Sequence, residues 1–292
     1  MSLWHVDQAN VDYVHRGETG YPEHLARLDT REALWDACGA ASREFPQSLF
    51  IERKDWKAKA EENDRNKTWA LNYIDRFTNQ SPTHECTCHS LRAVFEAARN
   101  RHRAIIFPEG PKKDFRYQES GKYGSVWVSA LSIYAEANPG KWGGANVQQV
   151  LNIAARRGFL PDKTQPAEYG FKHSLVGTDG QGNSNQSSGD WVAVRDFPEG
   201  WQETAKLFKP LEVVFPRSSE EAMCLILHGY ALGVGRSGHA VPLSAWDHEK
   251  NLFPYPDSYN VVRFDSRIAW QGSFAIISTT VPDDWSKPAH AA

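Results

Sequence analysis

The sequence predicts an α+β protein of two lobes, helical first and antiparallel β second, with a cleft between them. Three observations predict it. Apolar residues recur at helical spacing before residue 160. A stretch rich in Gly, Ser and Asn, residues 173–190, then breaks the pattern. Beyond it come short β-type runs split by Gly, Pro and Asn. With 292 residues the chain can bury a substantial core as one large unit or two small ones.

The elements follow in order. "DTREALWDACGAASREF" (29–45) opens with Asp29 as an N-cap and Glu32 three residues on, so a first helix is expected there. The next stretch, "FIERKDWKAKAEENDRNKTW" (50–69), is polar and shows no apolar period, so it receives no element. A second helix is expected from about Cys88 to Arg99, with Leu91, Val94, Phe95 and Ala98 as its buried stripe. Its basic end, "RNRHR" (99–103), reads as solvated and suited to the helix dipole. A third helix should span 146–157, with Val147, Val150, Leu151 and Ala154 facing inward and Gly158 as its stop. After the 173–190 loop, "LEVVF" reads as a strand and "SSEEAMCLILHGY" as a helix with a capping box from Ser218 to Glu221. "ALGVG", "HAVPLSAW", "YNVVRFDS" and "SFAIIS" read as further strands. The organisation is therefore an N-terminal extension (1–78), a helical lobe (79–172), a flexible loop (173–190) and a β-rich lobe (191–292).

Composition narrows the function. The net charge is −3, and no Lys/Arg run is long enough to track phosphates, so nucleic acid is not expected as a partner. No apolar run has the length of a membrane span, and the first twenty residues lack a signal-peptide core. A cytoplasmic location without membrane association is the expectation. With four cysteines and no signal, free thiols are expected rather than disulfides.

The densest chemistry lies in "NQSPTHECTCHSLRAVFEAARNR" (79–101). His84, Cys86, Cys88 and His89 are all ligand types, but a tetrahedral zinc site usually draws on two separated knuckles. No metal and no other cofactor is expected. A redox pair would need C-x-x-C, and this is C-x-C. Cys88 can be read as a small buried hydrophobe. In the first turn of a helix, however, the positive dipole end favours a thiolate, which a partner histidine can turn into a nucleophile. Cys86 is the alternative nucleophile, expected just off the helix end.

These residues resemble the papain-like cysteine peptidases, in which Asn-Gln precedes a Cys at the head of the central helix. The resemblance implies that Cys88 is the nucleophile and that Gln80 supplies the oxyanion-hole amide. The interval from Gln80 to Cys88 is two residues longer than the family's. "NPGKWGGANVQQVLNIAARRGF" is similar to the family's Gly-Gly stretch, so Gly143 and Gly144 would pair with an extended peptide substrate. "SGHAVPLSAW" resembles the strand carrying the general base, implying His239. "VVRFDSRIAW" resembles the Asn-Ser-Trp segment, implying Asp265 as the residue that orients His239. The implied fold is papain-like, its second lobe an antiparallel, barrel-like sheet. The implied activity is hydrolysis of peptide or protein substrates by a Cys-His-Asp triad. A second reading keeps the fold as a structural or assembly component, for instance of a phage virion, docking on protein partners with weak or no catalysis.

Overall fold

The computed structural model describes residues 41–74, 85–106, 127–138, 144–161, 194–197, 199–236, 238–259, 261–268 and 270–280. The helix expected from Asp29 to residue 40, Gln80, Gly143 and the 173–190 loop lie outside them. The helices are α1 (Trp56–Asn66), α2 (Cys86–Ile106), α3 (Ala130–Ala137), α4 (Val147–Arg157), α5 (Trp201–Ala205) and α6 (Ser219–Leu227). The strands are β1 (Ala41–Arg43), β2 (Pro210–Val214), β3 (Leu232–Arg236), β4 (His239–Leu243), β5 (Phe253–Asp257), β6 (Val261–Asp265) and β7 (Ala275–Thr279). Helices thus fill most of the first part and strands the second. Residues 41–43 depart from the expected first helix: they run parallel to β2, with Ser42 opposite Val213.

Helix α2 is the centre of the helical half, and it is longer at both ends than its apolar stripe suggests. Leu91, Val94 and Phe95 pack among Leu131 and Ile133 of α3 and Val150 and Leu151 of α4. Phe95 and Phe159 meet as a tilted ring pair with centres 4.9 Å apart. The expected solvated end at 99–103 is instead largely inside: Arg99, Asn100 and Arg103 are all buried. Two of these polar side chains serve named backbone carbonyls. Arg99 donates to Leu207 O at 3.0 Å and Thr280 O at 2.9 Å, and Asn100 donates to Tyr73 O at 2.7 Å. Glu96 accepts from the Val128 N–H at 3.0 Å. A buried polar group satisfied in this way does not carry the cost of an unmade bond.

The other helices follow local rules. In α4 the Asn146 side chain accepts from the Gln148 N–H, and Gly158 closes the helix at φ 86°. A Cβ at Gly158 would meet the Ala205 carbonyl, so both the positive φ and the space demand glycine. In α6 Ser218 accepts from the Glu221 N–H at 3.1 Å, and the Glu221 carboxylate accepts from the Arg217 N–H at 2.7 Å. The polar 50–69 stretch yields α1, which buries only Ala60 and Asn63. Its Lys, Ala and Glu content favours helix without any apolar period, and the Lys57–Glu61 and Lys59–Glu62 pairs sit at helical spacing. Among the described residues no helix is long and apolar enough to cross a membrane.

The strands form a three-stranded sheet, β1-β2-β7, and two hairpins, β3-β4 and β5-β6. Among the described residues they do not close into a barrel. Backbone bonds join the pieces. Gly233 of β3 exchanges both bonds with Phe274, at 2.8 and 3.0 Å, and the Ser244 N–H after β4 donates to Pro254 O of β5 at 3.0 Å. A second core of Leu225, Leu232, Val241, Leu243 and Tyr255 packs α6 against these strands. At Gly233 a Cβ would lie 2.4 Å from the Phe274 ring. Gly233→Ala is therefore expected to destabilise the protein by about 1–3 kcal/mol through overpacking. The urea midpoint checks this, and an unchanged midpoint would refute the account of the β3–Phe274 junction.

Candidate active site

Three element ends converge. Helix α2 begins at Cys86, β4 begins at His239, and β5 ends at Asp257. The head of α2 is pinned: Thr87 Oγ1 donates to Ala145 O at 2.8 Å, and Asn138 Nδ2 donates to Gly144 O at 3.3 Å. The β3–β4 register, Val234 opposite Val241 and Arg236 opposite His239, sets His239 at the tip of its hairpin. The β5–β6 register places Asp257 opposite Val261 at the corresponding end of the other hairpin.

At the convergence the Cys86 thiol lies within interaction range of the His239 ring and of the Ala240 N–H. His239 Nε2 lies 2.9 Å from Asp257 Oδ1. With Nε2 facing the carboxylate, Nδ1 is the ring nitrogen left for sulfur. The Asp257 side chain is fully buried, and that of His239 is 11% exposed. Arg263 of β6 brings Nε to 2.6 Å from Asp257 Oδ2. Tyr259 stacks on His239, ring centres 5.9 Å apart and planes within 27°.

The electrostatics favour a charged pair. Burial alone pushes the His239 imidazole down. The hydrogen bonds to Asp257 and Cys86, with their charges, overcome it and hold the ring up at about 9. Burial pushes the Cys86 thiol up. The hydrogen bond and charge of His239, the Ala240 N–H and Thr87 outweigh it, and the thiol sits below its ordinary value. The positive end of α2 acts in the same direction. The site is thus arranged to hold a thiolate beside an imidazolium. Among the described residues no group of three or more His, Cys, Asp or Glu side chains is placed to hold a metal ion.

The residues the sequence singles out are distributed unevenly. His239 is in the group. Cys88 is not: it is fully buried in the core around α2, where its charge would act on Arg157 of α4. Two residues along a helix turn a side chain by about 200°, so Cys86 and Cys88 face opposite sides. Asp265 is also elsewhere. It pairs across the ribbon with Phe253 and accepts from the Arg267 N–H at 3.0 Å. Four strand residues separate that level from Asp257, about 13 Å. The set brought together is Cys86–His239–Asp257 rather than Cys88–His239–Asp265. Gly144 sits beside the Ala145 carbonyl that Thr87 binds, close to Cys86.

No family model and no curated protein matches the chain. Among solved structures, the chain shows a likeness to xylellain, a cysteine protease from Xylella fastidiosa. The two are 13% identical over 78% of this chain and 89% of that one, with a TM-score of 0.44.

Two sequence signals point to the observed group. Asp257-Ser258-Tyr259 keeps the order acid or amide, Ser, aromatic that Asn-Ser-Trp prescribes, and Asp265-Ser266-Arg267 does not. Counting from Gln80 to Cys86 also removes the two extra residues in the interval to Cys88. Iodoacetamide is expected to label one thiol fast near neutral pH. Cys86→Ala should remove that fast phase and Cys88→Ala should leave it. The fast rate should persist below the ordinary thiol range and fall only as pH drops through the lowered Cys86 value. A fast phase surviving Cys86→Ala would exclude this thiol.

Proposed function

We propose that the chain is a papain-like cysteine peptidase whose nucleophile is Cys86. The observation that carries this reading is the convergence of the Cys86 thiol and the His239 ring, which shift each other's titration, with the 2.9 Å bond from His239 to a buried Asp257. The motif order of Gln80, the cysteine, Gly143-Gly144, His239 and an acid-Ser-aromatic triplet supports it.

In this mechanism the Cys86 thiolate adds to a peptide carbonyl carbon and forms a C–S bond, and the carbonyl oxygen becomes an oxyanion. The Cys86 backbone N–H and the Gln80 side-chain amide stabilise that charge, which appears only in the transition state. His239 Nδ1–H gives its proton to the departing amine as the C–N bond breaks, leaving a thioester. His239, now neutral, takes a proton from water, whose oxygen attacks the thioester and releases the acid and the thiolate. Asp257 fixes the ring so that Nδ1 faces the sulfur. Gly143 and Gly144, lacking side chains, leave room for an extended substrate to lie along the backbone.

The test is hydrolysis of fluorogenic peptides by the full chain. Cys86→Ala should lose all turnover, and His239→Ala should lose about 10²–10⁴-fold in kcat/KM. Cys88→Ala should retain turnover. Because Cys86 must be a thiolate and the raised His239 must stay protonated to release the amine, activity should hold from above the lowered Cys86 value up to about pH 9 and fall as pH rises through about 9. Full turnover in Cys86→Ala would refute the proposal. No turnover by the unmutated chain, together with slow labelling of Cys86, would favour the scaffold reading instead.

A further inference from the structure

We propose that Arg263 is a positioning residue of this site, holding Asp257 by its second oxygen and balancing the charge behind the Cys86–His239 pair. The inference rests on the Cys-His-Asp reading above. The geometry that carries it is the division of the carboxylate. Oδ1 bonds His239 Nε2 at 2.9 Å, and Oδ2 forms an ion pair with Arg263 Nε at 2.6 Å without the alignment of an N–H···O bond. The Asp257 side chain is fully buried and that of Arg263 is 8% exposed, so water screens this pair little. Register explains the meeting. Asp257 stands opposite Val261 and Tyr255 opposite Arg263, so Arg263 shares a sheet face with Asp257 and reaches it diagonally.

Tyr259 ties the second cation to the first. Its ring stacks on His239, and the Arg263 guanidinium lies 5.8 Å from the same ring centre. Around His239 stand Cys86 from α2, Asp257 from β5 and Tyr259 from the turn after it, with Arg263 of β6 behind Asp257. In the working state Cys86 and Asp257 carry negative charge, and His239 and Arg263 carry positive charge. Without Arg263 this buried set has a net negative charge. That makes protons harder to remove from both Cys86 and His239. The imidazolium would then be a poorer acid toward the departing amine.

The experiment follows ultraviolet thiolate absorbance against pH in the full chain without substrate, with kcat/KM profiles alongside. In the unmutated protein the band should appear below the ordinary thiol range, with a second edge where His239 loses its proton. Arg263→Met should move both edges upward by about one unit. Asp257→Asn should move both downward. The double variant, lacking both charges, should return them close to the starting positions. Arg263→Lys keeps the charge and loses the planar fork, so it should leave the edges in place and lower kcat more than it changes KM.

An Arg263→Met protein with unmoved edges overturns the proposal, because a residue that merely packs would not shift a titration. If Arg263→Met does not fold, the double variant decides: edges that stay where Asp257→Asn puts them overturn it. An unmutated protein with no band below the ordinary thiol range overturns the Cys-His reading itself, and this one with it. That failure is told apart because it is seen before any substitution.

Discussion

The site depends on where one helix begins. An α-helix turns its side chains by about 100° per residue, so its starting residue decides which way every later one points. With α2 beginning at Cys86, that sulfur reaches β4 and Cys88 goes into the core. Thr87 holds this start by its bond to Ala145 O, on the segment that leads into α4. The same few residues thus set the direction of the thiol and the place of the glycine pair's second member, Gly144.

Charge is placed with similar economy. A histidine pushed toward water-like protonation inside a protein needs negative partners, and a buried carboxylate needs positive ones. The two hairpins answer both needs at once: their registers put His239 and Asp257 at strand ends, and Arg263, one pair further in on the same face as Asp257, reaches that carboxylate diagonally. Tyr259 stacks on the ring, and the His239–Asp257 bond lies in a largely buried setting, where a lower dielectric strengthens the interaction.

Much of this was legible in the sequence, and the losses have physical causes. The stripe of α4, its Asn146 cap and its Gly158 stop follow from local chemistry, as does the Ser218 cap. His239 at a strand start was readable from its β-type run. Helix α1 was not, because it is built from propensity and charge pairs with almost nothing buried. Helix α3 hid for the opposite reason: it is buried nearly all round, so no polar face gives it a period. The start of α2 escaped because an apolar stripe beginning at Leu91 does not report the turn before it. Asp257 escaped because it follows Pro254 and Pro256 in "FPYPD", which reads as a break rather than as a strand.

The far end of α2 has a consequence for its near end. Arg99 grips two carbonyls from separate chain segments, and Asn100 grips a third. A slide or roll of the helix by one residue would strand those donors in the dry interior. The helix therefore behaves as a keyed axle: it is locked at the shank, and the sulfur at its tip keeps one bearing toward the imidazole whatever passes over the surface.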